Sequence, residues 1–202
     1  IKLLACITGG TVTGVASHIA FDPTIGDESE EFAKVYYRTD EDFAEFLGMF
    51  MGDGSFSHDQ IEIACDGQDR DVVDHVKAQI TRLFGRCTTR TIGSKGGGVG
   101  VRFSSKAVKE SLFALDVIQQ RSQTGVKRKV HVPPYIMRSP RSVVSAFLRG
   151  LFEADGHVHA RGNNTRFFSK SLQFVRDVQL LLLAFGIESR TRLVTKTGSN
   201  GY

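Results

Sequence analysis

Residues Phe147–Gly156, FLRGLFEADG, and a looser upstream copy, Phe46–Gly54, FLGMFMGDG, decide how this chain is read. Each has the pattern of the last turns of an amphipathic helix, with a carboxylate at its C-terminal end and a glycine to stop it. Asp53–Gly54 in the first copy becomes Asp155–Gly156 in the second. Small residues also recur every fourth position: Ala44, Gly48 and Gly52 in one, Ala146, Gly150 and Ala154 in the other. Such stripes let two helix backbones approach closely. Packed on one another, the two helices would bring Asp53 and Asp155 to the same end. Two carboxylates at two negative helix termini suit a hard divalent cation. An acid at a helix C-terminus with no role is the plainer reading, but that placement is unfavourable without a cation and it occurs twice in register.

Working outward, both copies are followed by the same order of elements. Thr39 with Asp40, Glu41 and Asp42 reads as a helix N-terminus, and Phe43, Phe46, Leu47 and Phe50 supply a core face. After Gly54 the period changes to that of a hairpin, Ser55–Ser57 with Gln60–Cys65. The spacing predicts a helix over Asp71–Phe84 stopped by Gly85, strands over Arg86–Ile92 and Val99–Ser104 around the loop Gly93–Gly98, and a helix over about Lys106–Gln119. Gln120–Lys129 reads as a polar connector, and Ser139–Pro140 as a cap and first-turn proline launching the second copy. Then the order repeats, with a hairpin within Gly156–Ser169, a helix over Leu172–Phe185 stopped by Gly186, and a strand at Arg190–Val194. A duplicated order of this kind predicts a pseudo-twofold α+β protein. Its parts are an acidic segment 1–42, a first unit 43–145 and a second unit 146–202, read as incomplete at its C-terminus.

LRGLFEADG, Leu148–Gly156, closely resembles the LAGLIDADG signature of homing endonucleases, and FLGMFMGDG resembles a second copy. The dodecapeptide class found within inteins is the nearest likeness, supported by Val130–Val158, and the resemblance covers roughly residues 43–202. It implies two tandem αββαββα units, a saddle of antiparallel sheets, and motif helices at the interface. It also implies a monomeric, intracellular, site-specific endonuclease from a mobile genetic element, making a staggered break in a long, pseudo-palindromic DNA duplex with Mg2+ or Mn2+. Asp53 and Asp155 would be the metal-binding catalytic acids, with the carbonyls of Gly52 and Ala154 beside the ions. A catalytic lysine is expected before the second motif; Lys129 is the nearest match and Lys127 a fallback, while Lys95 and Lys196 form a symmetric alternative that more often contacts phosphate. The alternative function is a LAGLIDADG-fold protein that grips DNA or intron RNA without cutting, as maturases and some transcription regulators do.

Charge fits a polyanion partner. The net charge is +4, yet residues 1–42 are net acidic, so the body of the chain is strongly basic. Strand residues would read the major groove. The candidates are Ser55, Ser57, His58, Gln60, Glu62, Arg90, Arg102 and Ser104 in the first unit, and His157, His159, Arg161, Asn163, Asn164, Arg166, Arg190 and Arg192 in the second. Alternation puts only about half of any strand on one face. His157 and His159 beside Asp155 lack the third ligand a zinc site needs. Cys6, Cys65 and Cys87 have no CxxC spacing, so reduced thiols are expected rather than a disulfide frame. Cys6–Thr13 faintly resembles the opening block of an intein, although His18 lacks the expected Thr-x-x-His context and Cys6 reads better as an ordinary buried cysteine. The apolar run Val178–Ile187 is about half a membrane span, and no signal peptide is read at the start.

Overall fold

A computed structural model describes residues 41–57, 60–93, 97–120, 126–128, 131–159 and 164–194. The predicted cap at Thr39, the acidic segment and Cys6 lie outside these residues. The first described element, α1 (Glu41–Asp53), is buried at every position from Phe43 to Met51, as an apolar helix at the centre of a core must be. Its chain runs directly into a hairpin of β1 (Gly54–Ser57) and β2 (Gln60–Asp66), followed by α2 (Arg70–Phe84), β3 (Thr88–Ile92) and β4 (Gly98–Ser104). These strands form one antiparallel sheet in the order β1-β2-β4-β3. Alternation sends Phe56, Ile61, Ile63, Cys65, Val101 and Phe103 toward α1 and α2. Phe46 touches the rings of Phe43, Phe50, Phe84 and Phe103, and Phe84 stacks on Phe103 at 4.4 Å. Truncating such a ring costs about 3–5 kcal/mol in a packed core.

The helix expected to reach Gln119 stops earlier, as α3 (Lys106–Ala114). Asp116 turns the chain with a positive φ of 57°, and the buried Val117 and Ile118 lead into β5 (Ile118–Gln120). Part of the expected polar connector is therefore a strand, β6 (Val126–Arg128), paired antiparallel with β5. A short turn of helix, α4 (Pro134–Met137), precedes the second motif helix. Ser139 does not cap that second helix; its hydroxyl donates to Tyr135 O and closes α4 instead. Helix α5 (Arg141–Asp155) starts on Pro140 with no side-chain cap.

After α5 come β7 (Gly156–His159), β8 (Asn164–Phe167) and α6 (Leu172–Ala184), and among the described residues β7 and β8 pair only with each other. Phe152, Phe167 and Phe174 make a small ring cluster beneath this hairpin. Gly186, at φ 75°, ends α6 with Gly186 N–H donating to Leu183 O and Ile187 N–H to Leu182 O, the paired pattern of a Schellman stop. The predicted strand Arg190–Val194 is not formed: these residues pair with no strand and Leu193 is 97% exposed. In the first unit β3 pairs, among the described residues, with β4 alone. No described strand stands beside residues 190–194, so their backbone has no ladder to join. Gln179 secures the segment instead, donating to Ser189 O and meeting the Thr191 hydroxyl.

Candidate metal and nucleic-acid site

Helices α1 and α5 pack along their small-residue stripes. A Cβ added at Gly48 would collide with Phe147 O and stand 2.6 Å from Leu151 N; one at Gly150 would collide with Glu45 O and stand 3.1 Å from Met49 N. The two contact sets are reciprocal under the residue shift that carries Asp53 to Asp155. At the far end, a Cβ at Gly52 would collide with Ala154 Cβ and lie 3.4 Å from Asp155 N. The helix ends carrying Asp53 and Asp155 therefore finish side by side, and both residues are half-buried.

The glycines that follow serve a purpose other than the one expected of a helix stop. Gly156 has φ −77° and ψ 146°, an ordinary extended conformation. Its Cβ would strike Phe152 O, and that of Gly54 would strike Phe50 O. They let each chain leave its helix straight into a strand while hugging the last turn. Neither α1 nor α5 has a basic side chain in its last turn. Two acid-bearing helix ends, each finishing in carbonyl oxygens, thus lie side by side, and such groups are the oxygen donors that hard divalent cations take. The half-buried Cys65 on β2 has its thiol pushed up to about 11 by burial and then by the negative charge of Asp53. Among the described residues Cys65 and Cys87 are both free thiols, and no group of three or more His, Cys, Asp and Glu gathers as a metal cluster.

A tie across the helix interface had no counterpart in the sequence reading. Glu45, 5% exposed, accepts from Arg149 Nη2 at 2.6 Å and pairs with His75 Nε2 at 3.1 Å. Burial would raise its carboxyl, but Arg149 and His75 together hold it below the ordinary range. Arg149 is raised in turn, chiefly by its hydrogen bond to Glu45. One signal was available: an acid within the apolar face of a helix needs a partner when it is buried.

Register sorts the expected DNA-contacting residues. Ser55, Glu62, Arg102 and Thr88 are cross-strand partners in one row, Gln60 pairs with Ser104, and Arg90 pairs with Gly100. All lie on the sheet face opposite the core, so these six residues fall on a common side with Thr88. Glu62 and Arg90 are not independent there: Arg90 Nε donates to Glu62 Oε2 at 2.5 Å and Nη2 to Oε1 at 2.7 Å. In the second hairpin His157 pairs with Arg166, both exposed. Ser57, His159, Asn164 and Lys127 are described as strand backbone only. Arg190 and Arg192 are exposed but sit on no strand, contrary to expectation. His58, Lys95, Lys129, Arg161, Asn163 and Lys196 lie outside the described residues. No described helix is long and apolar enough to cross a membrane.

Comparison with known proteins agrees with the motif. The chain is 32% identical over 150 residues to a probable translation initiation factor IF-2 of Thermococcus kodakarensis, covering 74% of this chain and 12% of that protein. It is 28% identical over 159 residues to a DNA gyrase chain of Mycobacterium kansasii, covering 74% of this chain and 27% of that one. A third relative, glutamine–fructose-6-phosphate aminotransferase of Methanocaldococcus jannaschii, is 24% identical over 143 residues, 71% of this chain and 12% of that one. The chain thus spans only a minor part of each. Residues 142–202, which hold nearly all of α5 and Asp155, match the LAGLIDADG-like domain family.

Proposed function

We propose that this chain is a site-specific double-strand DNA endonuclease carried as an insert within unrelated host proteins. The observation that carries the reading is the juncture of α1 and α5 at Gly52 and Ala154, which sets Asp53 and Asp155 side by side. Two negative helix ends would repel phosphate on their own, so bringing the scissile phosphate against them for cutting requires cations held between them. Asp53, Asp155 and the carbonyls of Gly52 and Ala154 would hold those ions. When bound, they supply Lewis-acid relief of phosphate charge and a more acidic water. The sheet face with Ser55, Gln60, Arg90 and Arg102 would hold the duplex in register. One acid offered to each strand gives a staggered cut. A lysine near Lys129 would steady the developing charge.

The relatives support the insert reading through their diversity. An initiation factor, a gyrase and an aminotransferase bear unrelated names, yet each matches this chain over a limited part of its length. An in-frame mobile element, of intein type, has that distribution. A binder that does not cut is the competing reading. Incubating a cognate duplex with Mg2+ separates them, because only the nuclease releases two fragments, and Asp155→Asn must stop it.

A further inference from the structure

Glu62 stands mid-strand in β2, on the polar face of the sheet, and is 9% exposed. Its carboxylate does not meet a neighbour on the adjacent strand. It reaches across β4 to Arg90 on β3, a span of about 10 Å between strand axes. Gly100 makes this passage possible: a Cβ there would lie 2.6 Å from both Glu62 Cδ and Oε2. Three residues on three strands therefore serve one contact. Arg102, directly opposite Glu62, does not win the carboxylate; its Nε is buried without a partner among the described residues.

The carboxylate occupies the Nε–Nη2 edge of Arg90, and the Arg90 side chain is 48% exposed. A guanidinium held by that edge is fixed in rotation and keeps its Nη1–Nη2 edge for a second planar partner. The acceptor pair that edge matches in duplex DNA is guanine O6 and N7 in the major groove. We propose that Glu62 and Arg90 form a base-reading unit that selects guanine at one position of the target, with Glu62 as the positioning residue. The inference rests on the reading of this chain as a DNA-binding protein. Duplex RNA fits poorly, since its major groove is too deep and narrow for side chains to read.

The test is binding selection from a randomised DNA duplex library without divalent metal, using the wild-type chain, Glu62→Gln, Arg90→Met and Gly100→Ala. The wild type should yield a consensus with one guanine preferred by about 10-fold. All three variants should lose that preference while other positions keep theirs. Glu62→Gln and Arg90→Met suffice if Gly100→Ala fails to fold. Replacing that guanine by 7-deazaguanine should weaken the wild type several-fold and leave Arg90→Met unchanged. Variants that retain the guanine preference overturn the inference but leave DNA binding intact. A wild type that selects no consensus overturns the DNA-binding reading, and this inference with it.

Discussion

Arg149 on α5 donates a 2.6 Å hydrogen bond to Glu45 on α1, joining the two motif helices through a carboxylate that His75 of α2 also contacts. Because the Glu45 carboxyl is held below its ordinary 4.5, its contribution to stability has a definite sign. It is fully present above 4.5 and is lost as pH falls through the lower folded value. Denaturant midpoints measured between about pH 6 and about pH 3 should therefore drop on the acid side, and Glu45→Gln should flatten that drop.

At neutral pH, Arg149→Met leaves Glu45 buried with His75 alone. The cost should be about 1–3 kcal/mol, below the range for a fully buried pair because Arg149 is 57% exposed. Equilibrium unfolding measures it, and an unchanged midpoint would remove the tie from the account.

Gly48 and Gly150 have no room for a methyl group against the facing backbone. Gly48→Ala or Gly150→Ala must push the helices apart, with a loss of about 1–3 kcal/mol or more. The shift also displaces Asp53 from Asp155, so metal-dependent cutting should fall further than stability explains. Calorimetry and a cleavage assay on the same samples separate the two effects.

DNA affinity should be strongly salt-dependent. Contact with about six or more phosphates predicts a fall of about 10³-fold between about 50 and 200 mM salt. Removing Arg166 should reduce the slope as well as the affinity. A flat salt response would argue against a polyanion partner.

Much of this architecture was legible in the residues. The stripe Ala44, Gly48, Gly52 and its later copy foretold the helix contact because steric closeness is a local property of small side chains. Alternation in Gln60–Cys65 foretold β2, although which face would meet the core waited on the pairing of β2 with β4. Arg190–Val194 failed as a strand because strand formation depends on a partner, and a propensity pattern does not supply one. Ser139 was misassigned for a related reason: a cap-like residue before proline also suits the end of a preceding turn, and α4 is too short to show in periodicity. Glu45 and Glu62 were hidden most fully. Each finds its partner on another element, Arg149 or Arg90, and no local spacing encodes such a pairing.

The central claim is that Asp53 and Asp155 together make one metal-dependent cutting centre. Cleavage of a randomised duplex library with Mg2+, run beside the Asp53→Asn, Asp155→Asn double variant, tests it most directly. The account predicts cutting at one long site by the wild type, with staggered ends, and none by the variant, which still binds that site. Equal cutting by both proteins, or enrichment of bound but uncut DNA by the wild type, would contradict it.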